Sequence, residues 1–149
     1  MLEAATGRCG CGQCEFQVQG PPLFRLLCHC TICQRFNKAD YADVIVFRAN
    51  DLELPPANRV NFQTLKSPPA VQRGRCSACQ QPAIERFESI PLLKLRMVPS
   101  GMLNETTLPP IRFHMFYERR RADIDDDLPK YSGLLRSQWA FLRTLLLSR

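Results

Sequence analysis

All eight cysteines of this 149-residue chain fall in three tight groups, and that spacing limits the possible folds more than any other feature. The groups are Cys9-Gly-Cys11-Gly-Gln-Cys14, Cys28-His-Cys30-Thr-Ile-Cys33 and Cys76-Ser-Ala-Cys79. Thiolates bind zinc tetrahedrally, and two of them one or two residues apart fit a tight knuckle of backbone around the metal. Residues Met1 to Gly7 lack a basic start followed by an apolar run, which predicts an intracellular, cytoplasmic protein without a secretory leader. In a reducing compartment such cysteines serve as metal ligands or reactive thiols, and a disulfide framework is the alternative.

The way the ligands divide carries the functional information. A structural zinc takes four protein ligands, and a catalytic zinc takes three and keeps one position open. Cys76 and Cys79 can complete a four-sulfur site with only one of the two earlier groups. Eight cysteines therefore divide into a closed set of four, a set of three and a spare. Two purely structural zincs, the second closed by a histidine or by Cys14, form the competing arrangement. His29 and His114 are the only histidines. His29 stands between two candidate ligands, so its ring should point away from a metal they share. His114 sits in a strand pattern, where a lone histidine is more often a satisfied interior or surface group.

The remaining sequence predicts a mainly β chain. Its 12 prolines, many in pairs such as Pro21-Pro22, Pro55-Pro56, Pro68-Pro69 and Pro109-Pro110, disfavour long helices. Strand patterns occur over 15–19, 23–27, 41–48, 60–65, 71–75, 84–87, 92–98 and 111–117, with a turn and short strand over 50–54. The polar stretch from Cys33 to Asp40 is predicted to turn, and Ser67-Pro68-Pro69 to break the chain. From Leu134 the apolar residues recur at helical spacing, predicting a C-terminal helical extension over 134–149 after a first domain over 1–133. That helix could cap the β core, form a homodimer contact or lie on a membrane surface.

The net charge is +6, from 16 Arg and 4 Lys against 14 acidic residues. The arginines are scattered, and the one run, Arg119 to Arg121, is followed by the acidic stretch Asp123 to Asp127. Such a distribution does not predict a nucleic-acid-binding face. No apolar stretch is long enough to span a membrane.

Several segments resemble the glutathione-dependent formaldehyde-activating enzyme family, to which centromere protein V is a more distant relative. They are Gly7-Arg-Cys9-Gly-Cys11-Gly12 with the Phe16/Val18 strand, Cys28-His29-Cys30-Thr-Ile-Cys33-Gln-Arg35, Ser67-Pro68, Val71, Arg73-Gly74-Arg75-Cys76-Ser-Ala-Cys79, His114, and Asp125-Asp126-Asp127-Leu128-Pro129-Lys-Tyr131. The resemblance covers about residues 7–133. It implies a structural zinc on Cys9, Cys11, Cys76 and Cys79, and a catalytic zinc on Cys28, Cys30 and Cys33, with Cys14 spare. It also implies a mainly antiparallel β fold with zinc knuckles, shared with the Rab-interacting exchange-factor-like proteins and the methionine-R-sulfoxide reductases. Those reductases need a redox cysteine in their C-terminal half, and this chain has none after Cys79.

The implied activity is that of a carbon–sulfur lyase that forms or cleaves a thiol–aldehyde adduct such as S-hydroxymethylglutathione. Its partners would be glutathione or a similar thiol and an aldehyde, with Arg35 and Arg73 the candidate cations for the anionic thiol. A zinc-stabilised binding module without chemistry is the alternative, and a nucleic-acid module a third. The chain departs from the family's pattern at Gln80 and at Asn37-Lys38, where glycine or a small residue is common, and at Phe116 and Ala122, where aromatics are frequent.

Overall fold

The computed structural model describes residues 5–65, 71–104 and 108–148. The expected break at Ser67-Pro68-Pro69 and the basic terminus Arg149 lie outside them. In chain order the elements are β1 (Ala5–Arg8), β2 (Glu15–Val18), β3 (Phe24–Cys28), α1 (Thr31–Asn37), β4 (Ala42–Arg48), β5 (Leu52–Glu53), β6 (Val60–Gln63), β7 (Val71–Cys76), β8 (Pro82–Ile90), β9 (Leu93–Pro99), β10 (Ile111–Met115) and α2 (Leu134–Leu147). The chain divides into two compact units, Met1–Pro22 with Val46–Leu108 and Leu23–Ile45 with Pro109–Arg149.

In the first unit β1, β2 and β5 form a small antiparallel sheet, and β9-β8-β7-β6 form an antiparallel meander. Alternation buries Phe16 and Val18 of β2 and leaves Glu15 and Gln17 outside. β1 has too few apolar residues to stand out in the sequence. It exists because Gly7 pairs with Phe16, whose ring lies where a Gly7 side chain would be, with its Cζ 2.1 Å from that Cβ position. Gly74 is also set by close approach, since a Cβ there would stand 2.7 Å from the Ile84 carbonyl oxygen on the neighbouring strand. These glycines let strand and ring pack where any side chain would intrude.

In the second unit the strand order is β10-β3-β4, and β10 runs parallel to β3. The molecule is mainly β as expected, its other strand pairings given above being antiparallel. Arg25 on β3 forms a two-point ion pair with Asp43 on β4, at 2.6 and 2.8 Å. The turn expected after Cys33 is instead helix α1. Its start is capped by Cys30, whose sulfur accepts the Cys33 N–H at 3.2 Å, and Asn37 Nδ2 donates to the Cys33 carbonyl at 2.8 Å. Seven polar-rich residues show too little periodicity to announce a helix, and caps make it.

α1 ends at Lys38, which takes left-handed backbone (φ 50°, ψ 47°), where glycine fits without a Cβ penalty. Lys38→Gly is expected to stabilise the protein by about 0.5–1 kcal/mol, the relief of Cβ strain exceeding the added freedom of the unfolded chain. The check is a rise in denaturant midpoint at constant slope.

α2 buries a face other than the one its hydrophobic spacing suggests. Ser137, Ala140, Thr144 and Leu145 point inward, and Leu134, Leu135, Trp139, Leu142, Leu146 and Leu147 are exposed. Ser137 Oγ accepts the Phe116 N–H at 2.9 Å, and Phe141 meets Phe24 edge-on at 5.2 Å. Small side chains on this face let the helix approach closely. Among the described residues no helix is long and apolar enough to cross a membrane.

Candidate metal centres

In the first unit, the loop between β1 and β2 and the end of β7 bring together Cys9, Cys11, Cys76 and Cys79, whose sulfurs all lie within 4.8 Å of one another. Cys9 and Cys11 Sγ are 3.4 Å apart, and Cys11 and Cys76 Sγ 3.7 Å. A tetrahedron of thiolates around zinc requires about 3.8 Å between sulfurs, so these donors fit that ion. Two tight turns shape the cluster. The Cys9 N–H donates to the Cys14 carbonyl and Gly12 N–H to the Cys9 carbonyl, both at 3.0 Å; in the second knuckle Gln80 N–H donates to the Cys76 carbonyl at 2.9 Å. Gln80 takes the left-handed conformation (φ 63°) that glycine would supply at that turn.

The thiols share their protons unequally. Burial pushes Cys9 up, but the backbone at Cys14 and the Cys11 and Cys76 thiols together hold it down to about 6. At Cys11 the Gln13 N–H pulls down, and Cys9, burial, Cys79 and Cys76 overcome it to push the thiol up to about 12. Such a set binds a divalent cation by giving up protons.

Cys14 is fully buried beside this cluster, pushed up to about 12 by burial and by the nearby Cys76, Cys9, Cys79 and Cys11. The arrangement in which Cys14 closes the set of Cys28, Cys30 and Cys33 is therefore corrected: its neighbours are the other four cysteines.

In the second unit, the end of β3 and the start of α1 bring the sulfurs of Cys28, Cys30 and Cys33 within 4.8 Å of one another. Among the described residues no histidine or carboxylate joins them. Cys28 and Cys33 are buried and Cys30 is half-buried. The Cys30 and Cys33 thiols, with burial, raise Cys28 well above an ordinary thiol. Arg35 is exposed on α1. Arg73 lies in the other unit on β7, buried and ion-paired to Glu85 at 3.4 Å.

Behind the loop of the three cysteines lies a chain of polar side chains. His29 Nε2 is 2.9 Å from His114 Nδ1, and His114 Nε2 is 2.8 Å from Asp126 Oδ2. Both rings are buried, at 1% and 0% exposure. As expected, His29 is not grouped with the sulfurs; its ring meets that of His114, with Tyr41 and Tyr117 packed at 5.4 and 5.2 Å. Burial first, then neighbouring His114, lowers His29 to about 4, so it is neutral at pH 7. Asp126 is lowered to about 2, mainly by Lys130 and further by His114 and the Leu128 N–H. Gln34 Nε2 donates to the His29 carbonyl at 2.8 Å and to the Arg119 carbonyl at 2.7 Å, so the residue between Cys28 and Cys30 is gripped by ring and backbone alike.

The pattern of the family described as glutathione-dependent formaldehyde-activating enzyme matches residues 4–119. The chain belongs to that family. The match contains all eight cysteines and ends before the Asp125–Tyr131 segment. A solved Rhodobacter sphaeroides protein, a structural genomics target, is similar at 21% identity with a TM-score of 0.54, covering 71% of this chain and 96% of its own. That likeness supports the fold of this family member. No functionally curated protein matches the chain.

The contact of Asp126 with His114 and the meeting of the two histidines were not legible in the sequence, where Asp126 is one charge in a neutralising run. A signal was present, since the chain's only two histidines and the Asp125–Tyr131 segment all lie within the resemblance.

Proposed function

We propose that this family member is a cytoplasmic zinc-dependent carbon–sulfur lyase of the S-hydroxymethylglutathione synthase type, joining glutathione to formaldehyde or cleaving the adduct. The observation that carries this reading is the unequal division of sulfurs, four that can close a structural site and three that leave one ligand position to the substrate. Cys9, Cys11, Cys76 and Cys79 would hold the structural zinc, and Cys28, Cys30 and Cys33 the catalytic one. Bound zinc supplies Lewis acidity, lowering the pKa of a thiol and polarising an aldehyde oxygen.

In the forward direction the thiol sulfur attacks the carbonyl carbon and the carbon–sulfur bond forms. The carbonyl π pair moves to oxygen, which takes the proton that left the thiol. The reverse direction breaks the same bond and returns the proton to sulfur. Cys30, the half-buried ligand, marks the side of the cluster that solvent reaches. Arg35, two residues beyond Cys33 and exposed, is the candidate to hold a carboxylate of glutathione.

Exchange NMR on a glutathione–formaldehyde mixture tests the reading. Magnetisation transfer between free formaldehyde and the hydroxymethyl adduct is expected to speed up in proportion to added protein. Arg35→Gln is expected to raise KM for glutathione roughly tenfold at unchanged kcat, the loss of one charge-assisted hydrogen bond. An exchange rate that ignores the protein would overturn the lyase reading.

A further inference from the structure

The polar chain behind the three-sulfur cluster has a direction set by hydrogen bonding. An ionised carboxylate only accepts, so His114 Nε2 carries the hydrogen that Asp126 Oδ2 receives at 2.8 Å. The other ring nitrogen, His114 Nδ1, lies 2.9 Å from His29 Nε2, within hydrogen-bond distance. His29 Nδ1 is buried with no hydrogen-bond partner among the described residues. Burying an unsatisfied polar atom costs free energy, so the ring is held in place by what the rest of the chain gains.

Each member is fixed in turn. The His29 N–H donates to the Met115 carbonyl at 3.0 Å, and the His114 N–H and carbonyl bond to Pro129 and Tyr131. Asp126 Oδ1 accepts from the Leu128 N–H at 3.1 Å and from Lys130 Nζ at 2.6 Å. The immobilised carboxylate thus reaches through His114 to the one residue that separates Cys28 from Cys30.

We propose that Asp126 and His114 are positioning residues for the three-sulfur site: through the His29 ring they set the spacing of Cys28 and Cys30 and so its metal affinity. The proposal rests on the reading of that cluster as a metal site. Its mechanism is the ordinary one by which outer hydrogen bonds orient a ligand loop, and loss of such a partner weakens metal binding by about 10–100-fold. Here the partner grips the residue between two ligands instead of a ligand ring.

The test is a competition titration of the reduced full-length protein with Zn2+ and a chromophoric chelator, resolving the two sites. Asp126→Ala is expected to weaken one of the two zinc sites by about 10–100-fold and leave the other unchanged. Asp126→Asn is expected to recover most of that loss. Its amide oxygen can keep the Leu128 and Lys130 bonds, and its Nδ2–H can donate to His114 Nε2, so the chain re-forms. Cys30→Ser identifies the weakened site as the three-sulfur one, because no second affinity should remain in that background. Equal weakening of both sites by Asp126→Ala, no weakening, or a loss that Asp126→Asn fails to recover overturns the proposal. A wild-type protein that takes up only one zinc overturns the underlying metal reading instead.

Discussion

Cys76→Ser is expected to leave the chain unfolded at 25 °C in the presence of excess zinc. Cys76 is fully buried at the end of β7, its sulfur 3.7 Å from that of Cys11, which lies 65 residues earlier in the chain. The small sheet and the meander of the first unit are thereby tied to one point. A structural zinc contributes on the order of 10–16 kcal/mol of apparent binding free energy at neutral pH, and a domain of this size has only about 5–15 kcal/mol of net stability. Loss of one thiolate removes most of the former and so exceeds the latter. Circular dichroism and one-dimensional NMR of the purified variant report the outcome. Cys14→Ala is the control. Cys14 is just as buried but stands outside the set of four, so that variant should fold and keep its metal, at a cost of about 1 kcal/mol for a small cavity.

Cys30→Ser is expected to do the opposite, abolishing turnover while leaving the fold intact. Cys30 caps α1 through its sulfur, and serine is among the best residues for that position, so the helix start survives the exchange. A neutral hydroxyl is a poor zinc ligand beside two thiolates, and the three-sulfur site drops to two good donors. Exchange between formaldehyde and its glutathione adduct should fall to the uncatalysed rate, with the denaturation midpoint within about 1 kcal/mol of wild type. A folded variant that retains activity would remove Cys30 from the catalytic set. An unfolded one would make the second cluster structural, as in a binding module without chemistry.

Much of the architecture was legible because strand signals depend on local composition. The run Ala42 to Phe47 is apolar, β-branched or aromatic except for Asp43, and it forms β4 where expected. The four-three-one division of the cysteines was legible because ligand number and spacing are chemical constraints that survive any fold, and the family resemblance supplied which group joins Cys76 and Cys79. What failed depended on partners distant in sequence. β1 exists through a ring packed on Gly7, α1 through two side-chain caps, and the parallel pairing of β10 with β3 through elements 83 residues apart (Ile111 beside a strand that ends at Cys28). α2 shows the limit of periodicity, since Ser137 and Thr144 turn inward while Trp139 and five leucines of the helix face out. At the site, the sulfurs were found by spacing, but Asp126 was hidden because an aspartate in an acidic run gives no local sign of reaching a buried histidine.

Two clusters of different completeness carry the proposed chemistry, and zinc per chain tests it most directly. Elemental analysis of protein purified under reducing conditions should give a ratio near two for wild type and near one for Cys30→Ser. A wild-type ratio near one that added zinc and glutathione cannot raise would contradict the three-sulfur site, and with it the catalytic reading.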